Sequence, residues 1–284
     1  MTAPAATTLQ TGLAGRPRRL AFPYYGGKFS KLKYILPQFG TPHRTFVELF
    51  CGSAAVTLNK PPVEREVIND LAGEVADFWT AVRERPDELQ RAVNCTPGGG
   101  AEFKRCLDAP PSDCVVERAR RFYVRVSHAF SSIPSSRGSG FYAGCRFPKL
   151  RAGLPGVCER MRAVVVENTD AVRLMRRVMN ATEQGKRLCP VLFYADPPYM
   201  GRRSEGEYLV EGFDHETFLH AVLDASALPW VKLCISGYAS ELYDSLLIGW
   251  RRVEFDCKLH APNRGSMQRR TEVVWRNYGL EDGR

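Results

Sequence analysis

The residues best equipped for chemistry stand together at Phe193-Tyr194-Ala195-Asp196-Pro197-Pro198-Tyr199, an apolar run that ends abruptly in an acid, two prolines and an aromatic. Two prolines remove two amide donors and fix the backbone, so the carbonyls beside Asp196 are held rigidly and the run is stopped. A carboxylate and a fixed carbonyl can together accept both hydrogens of one amino group, with an aromatic face beside it for stacking. Such a site suits a planar ring bearing an exocyclic amine. The same tetrapeptide also suits a plain turn, and composition does not choose between the two.

The elements that must position these residues alternate along the chain. Thr45–Phe50 reads as a short strand, and Cys51-Gly52-Ser53-Ala54-Ala55 turns it into a helix. Val63–Asp70 reads as a second strand ending in an acid, followed by a helix over 73–84 that stops at Pro86. Two such βα units point to a parallel sheet. Further strands are expected at Ala163–Glu167, Val191–Ala195 and Trp230–Ser236, with helices near 170–179, 214–225 and 239–247. A closing strand pair is expected at Arg252–Asp256 and Thr271–Arg276, and the fold class is α/β. Between 87 and 160 the alternation breaks into Pro- and Gly-rich pieces around one helical stretch near 113–130. The expected organisation is a disordered basic tail over 1–18, one main domain over 19–86 and 161–284, and an inserted subdomain over 87–160.

Composition narrows the class. At 284 residues, 44% hydrophobic and 25% charged, the chain is neither collagen-like, coiled-coil nor wholly disordered. No apolar run approaches the roughly 18 residues of a membrane span, so a soluble protein is expected. The nine cysteines include no C-x-x-C pair, so neither a disulfide framework nor a zinc site is indicated, and reduced thiols are expected. Charge is less ordinary: 40 Lys plus Arg against 31 Asp plus Glu gives +9. Residues 1–47 hold seven basic residues and no acid, and 101–161 hold eleven basic against five acidic. Residues 247–284 hold eight against five, while the stretches between these blocks are net acidic. A polyanion is the natural partner for such blocks, and a solvated Arg-rich surface is the alternative.

Taken in order, the motifs resemble those of the DNA adenine methyltransferases of the Dam type. Asp196-Pro197-Pro198-Tyr199 looks like the family's target-adenine motif, and Tyr24-Tyr25-Gly26-Gly27-Lys28 like its N-terminal cofactor motif. Phe46-Val47-Glu48-Leu49-Phe50-Cys51-Gly52-Ser53 is similar to its strand-turn-helix motif, and Asn69-Asp70 to the acid ending the next strand. Val165-Val166-Glu167-Asn168-Thr169-Asp170 resembles a later cofactor motif, and Ser236-Gly237-Tyr238 and Thr271-Glu272-Val273-Val274-Trp275 resemble the C-terminal pattern. The matches run in the family's order across roughly 20–278.

The resemblance implies a Rossmann-like methyltransferase core that binds S-adenosylmethionine, with an inserted, mainly helical target-recognition subdomain. It implies cofactor contacts at Tyr24, Gly26, Gly27, Lys28, Glu48, Phe50, Gly52, Ser53, Asp70, Asp170 and Asp196. A small residue at Gly52 would let backbone approach the ligand, and Asp70 would accept from ribose hydroxyls. A helix cap is the plainer role for Asp70, and Asn69 could fill it equally well. Lys28 could pair with the methionine carboxylate, and Tyr24 would flank the ligand or belong to the core. The implied reaction is methylation of the exocyclic amino group of adenine in double-stranded DNA after base flipping, with Asp196, Pro197, Pro198 and Tyr199 as the catalytic set. No cysteine nucleophile and no metal is needed, and His128 is expected to be structural.

DNA contacts are expected at Arg125, Ser131, Arg137, Arg146, Lys149, Arg264 and Arg269. After Phe122-Tyr123-Val124-Arg125, the family's Asn-Gly element is replaced by His128-Ala129-Phe130-Ser131-Ser132. That departs from Gly-Ala-Thr-Cys specificity and looks more like phage or mobile-element relatives. A monomer in the cytoplasm or on the nucleoid is expected, with a cognate restriction nuclease as a candidate partner.

Overall fold

The computed structural model describes residues 18–129, 147–184, 190–200, 212–258 and 269–280, without the side chains of 182–184, 256–258 and 269–270. The expected disordered tail lies outside them but for Arg18. The element order is α1 (Leu32–Ile35), β1 (Thr45–Glu48), α2 (Ala55–Asn59), β2 (Arg65–Asn69), α3 (Gly73–Glu84), α4 (Pro86–Asn94), α5 (Gly100–Asp108), α6 (Val115–His128) and α7 (Phe147–Met161). It continues through β3 (Val165–Glu167), α8 (Ala171–Gln184), β4 (Val191–Ala195), α9 (His215–Ser226), β5 (Val231–Tyr238), α10 (Glu241–Leu246), β6 (Arg251–Lys258) and β7 (Arg269–Arg276). The class is α/β, as expected.

The described strands form one sheet of order β3-β2-β1-β4-β5-β7-β6. β1 pairs in parallel with β2 and β4, β2 with β3, and β4 with β5, while β7 runs antiparallel between β5 and β6. The strand order reverses at β1, so a crevice opens where the carboxyl ends of β1 and β4 part. In open α/β sheets this is where ligands bind.

Both faces of the sheet are covered. Val47, Phe193, Ala195, Leu233, Ile235, Val273 and Trp275 point to the face packed with α8, α9 and α10. Their chain neighbours Phe46, Leu192, Tyr194, Cys234 and Val274 point to the other, against Leu32, Ile35 and Leu36 of the N-terminal segment. This period-two split is what successive side chains on a strand dictate, and burial on both faces explains why the strands read as unbroken apolar runs.

Within 87–160 the sequence reading expected one helix, and the described residues contain α4, α5 and α6, with α7 running just past the end of the segment. Pro86 and Gly100 sit where a helix tolerates them. Pro86 opens α4 at a position whose amide has no helical partner, and Gly100 begins α5. α7 carries Pro155 inside it and is held by the buried Leu150, Leu154, Val157, Cys158 and Met161. These helices share one hydrophobic cluster with α3: Phe22, Phe78, Trp79, Phe122, Tyr123 and Phe147 are all buried in it. Phe78 stacks on Tyr123 with ring centroids 5.5 Å apart.

Candidate active site

At the carboxyl edge of the sheet a cavity of about 510 Å³ collects residues from distant parts of the chain. Its lining includes every expected cofactor residue: Tyr24, Gly26, Gly27, Lys28, Glu48, Phe50, Gly52, Ser53, Asp70, Asp170 and Asp196. Pro197, Pro198 and Tyr199 line it too, beside Leu71, Phe213 and Thr217, which the motifs did not single out.

One side is built on the turn after β1. Gly52 sits at φ +46° and Ala54 at φ +46°, a left-handed backbone that costs little for Gly and is strained for Ala. A Cβ on Gly52 would stand 2.7 Å from the Tyr24 ring, so the glycine admits a tyrosine over the turn rather than the ligand itself. The Trp79 indole donates to the Gly52 carbonyl at 2.8 Å from beneath. Asp70 accepts from the Gly52 amide at 2.9 Å and from the Ala72 amide at 3.0 Å, so it braces the turn and the start of α3 together. Burial pushes its carboxyl up, against those two donors. Next to it Leu71 is half exposed in the cavity wall, an apolar surface turned to the opening.

Behind Asp70 lies fully buried Asn69. Its amide group donates to the carbonyls of Leu49 and Thr169 at 3.0 Å each, and its oxygen accepts from the Thr169 amide at 3.1 Å. One side chain thus ties the ends of β1, β2 and β3. Glu48 accepts from the Thr57 amide at 2.9 Å and from the Thr57 hydroxyl. Burial pushes the Glu48 carboxyl up to about 7, more than those donors hold it down.

The other side is Asp196, at the end of β4. Its Oδ1 pairs with Lys28 Nζ at 2.5 Å and accepts from the Ser236 hydroxyl at 3.0 Å, which in turn lies 2.8 Å from the Tyr194 hydroxyl. Oδ2 has no partner among the described residues. Burial pushes the Asp196 carboxyl up while Lys28 pulls it back. Burial alone would lower Lys28, but Asp196 and Glu272 more than reverse it, so the ammonium stays charged. Lys28 also donates to the Tyr199 hydroxyl at 2.7 Å and lies 3.2 Å from Glu272. Lys28 therefore has its anions within the protein, which differs from the expected pairing with a ligand carboxylate. Tyr199 stacks on Tyr238 with centroids 4.0 Å apart, so one face of the expected base-stacking ring is already covered.

Glu272, Lys31, Ser236 and Tyr238 complete this corner, and none was singled out as a site residue. A signal for Glu272 exists: it is two residues from the core position Val274 on β7, so it is an acid on a buried strand face.

The expected DNA contacts fall apart differently. Ser131, Arg137, Arg146 and Arg264 lie outside the described residues, as does the Arg269 side chain. Lys149 is exposed on α7. Arg125 is 16% exposed and paired with Glu74 across the α3–α6 interface, which makes it a tie between helices. His128 is buried, with its ring 2.9 Å from the Val124 carbonyl, as a structural histidine would be.

Residues 24–99 match the family model of the D12 class N6 adenine-specific DNA methyltransferases. That segment spans Tyr24 to the region after α4 and carries the Gly52 turn, Asp70 and Lys28. Over those residues the family resemblance is borne out. No curated protein matches the chain. Among solved structures, a SAM dependent methyltransferase from Agrobacterium tumefaciens is similar at 11% identity and a TM-score of 0.36. The alignment covers 88% of this chain and 61% of that one, so the chain spans under two thirds of that protein's length.

Proposed function

We propose that the chain transfers a methyl group from S-adenosylmethionine to the exocyclic amino group of adenine in DNA. The observation that carries this reading is Asp196: a largely buried carboxylate anchored through Oδ1, with no partner for Oδ2 among the described residues, in the same cavity as the Gly52 turn and Asp70.

The residues of the first side fit an adenosyl ligand. Asp70 would accept from the ribose hydroxyls, and Phe50, Leu71 and Phe213 offer apolar surface for a purine. Asp170, at the start of α8, would meet the ring's polar edge. When bound, the cofactor supplies a methyl group on a positive sulfonium, open to attack by a nucleophile held in line with it.

Adenine's amino nitrogen is a weak nucleophile because its lone pair is delocalised into the ring. Asp196 Oδ2 and the Pro197 carbonyl would accept its two hydrogens, which favours the pyramidal nitrogen whose lone pair is free. Asp196 would take the proton that nitrogen loses. Tyr199, backed by Tyr238, forms the aromatic wall beside the ring. Cys51 lines the same cavity, but burial pushes its thiol well up, so it is not a thiolate and ring-carbon chemistry through a covalent adduct is disfavoured. A paired base cannot reach such a cavity, so the adenine would leave the stack. The 87–160 helices, with the basic segments flanking them, are the part we assign to target recognition.

The test is to incubate the protein with S-adenosylmethionine and varied DNA, digest, and identify methylated nucleosides by mass spectrometry. N6-methyladenine is expected. Cofactor binding without methyladenine on any duplex or single strand overturns the reading. Asp196→Ala should lose transfer at least a thousandfold while DNA affinity, read by anisotropy, stays within about threefold. Equal activity in that variant would remove Asp196 from its role.

A further inference from the structure

Beneath Asp196 lies a fully buried acid, Glu272, that does not itself line the cavity but contacts two residues that do, Lys28 and Tyr199. Its Oε2 pairs with Lys31, and its Oε1 lies 3.2 Å from Lys28 and accepts from the Tyr199 hydroxyl at 3.1 Å. Two lysines and two carboxylates therefore meet in one corner, Lys28 shared between both acids and Lys31 drawn to Glu272. Lys31 also lies 3.4 Å from the Tyr199 hydroxyl and 5.8 Å from the Tyr199 ring centroid, so it stands beside the same corner as Asp196.

We infer that Glu272 is a positioning residue: it holds Lys31 away from Asp196 and shares Lys28, so that Asp196 keeps one oxygen free for the substrate amino group. The inference rests on the proposed transfer to an amino group. A buried ammonium must find a carboxylate or carry the full cost of isolation. With Glu272 neutral, Asp196 is the nearest remaining carboxylate, and Lys28 and Lys31 would converge on both its oxygens. The carboxylate would then be saturated by donors of its own protein and could accept nothing from a base. The backbone places Glu272 for this: it lies opposite Tyr238 in the β5–β7 register, and Tyr238 stacks on Tyr199.

The experiment compares the full chain with Glu272→Gln, Lys31→Met and the double variant. Glu272→Gln keeps the shape and removes the charge. It should lower kcat at least a hundredfold while the dissociation constant for S-adenosylmethionine stays within threefold and the unfolding midpoint within a few degrees. The double variant restores one lysine to one carboxylate and should recover at least tenfold of the lost kcat. A Glu272→Gln enzyme with wild-type kcat overturns the inference. So does a loss that the double variant does not recover, since a purely structural role predicts no recovery. A crystal structure of ligand-free Glu272→Gln tests the inference without activity: Lys31 Nζ is expected within 3.5 Å of the Asp196 carboxylate, and an unmoved Lys31 overturns it. If the wild-type protein methylates no DNA, the proposed function falls and the crystal structure alone decides the role of Glu272.

Discussion

Glu48 is the residue whose charge answers most directly to the ligand. Its carboxyl titrates near 7 because it is buried at the end of β1, and Asp70 and Asp196 are displaced upward by burial as well. A carboxyl raised in the folded state stabilises that state fully below its unfolded value, near 4.5, and loses the contribution as pH rises through about 7. For Glu48 alone the window is worth on the order of 3 kcal/mol. A cation arriving in the cavity reverses the preference and favours the carboxylate. S-adenosylmethionine should therefore bind with proton release near pH 6.5, and its affinity should rise between pH 5.5 and 7.5. Calorimetry in buffers of different ionisation enthalpy reads the proton directly. Glu48→Gln should abolish most of that release, and an unchanged value would show the proton comes from elsewhere.

Elements meet at the ends of strands, and Asn69 shows how. Its three hydrogen bonds tie the segments after β1 and β3 to β2, with the Asn69 side chain itself fully buried. Asn69→Ala leaves buried carbonyls and an amide unpaired, at about 1–3 kcal/mol for each group so stranded. Thermal unfolding should move down by roughly 5–10 °C. Asn168→Ala, which removes exposed bonds to Asp70 and Leu71 carbonyls, should move it far less. Equal shifts would show that Asn69 is not the latch. Strands β1, β4 and β5 were legible as apolar runs because both faces of the sheet are covered, and β2 as a strand ending in an acid. The helices α4, α5 and α7 were not, because Pro86 and the Pro- and Gly-rich pieces of 87–160 count as breaks by type when what matters is their place in the helix. The i, i+3, i+4 apolar spacing of Leu150, Leu154, Val157, Cys158 and Met161 was present all along. Lys31 and Glu272 could not be joined from sequence, because only the antiparallel return of β7 brings them together.

At the scale of the molecule, the +9 charge is smaller in effect than in count. Arg118, Arg120 and Arg125 tie α6 to α3 and α5, Arg160 pairs with Glu66 of β2, and Arg105 and Arg121 pair within their own helices, so these charges are engaged within the protein. Lys28, Lys31 and Arg44 of the N-terminal block are paired as well, and Lys149 is among the exposed basic residues left to meet DNA. DNA binding should therefore fall with salt along a slope near −4 in log–log terms, about 250-fold between 50 and 200 mM. Fluorescence anisotropy over a salt series measures it. A flat response would mean that the basic blocks face elsewhere.

The β5–β7–β6 arrangement also sets an order in time. Lys31 and Glu272 are 241 positions apart, so the first lysines of the cavity leave the ribosome long before their acid exists. Until β7 is made, Lys28 and Lys31 have Asp196 but not Glu272, two lysines for one carboxylate of this corner. The corner becomes charge-balanced only when β7 slides between β5 and β6, which makes the last strand of the sheet the step that completes the cavity's chemistry.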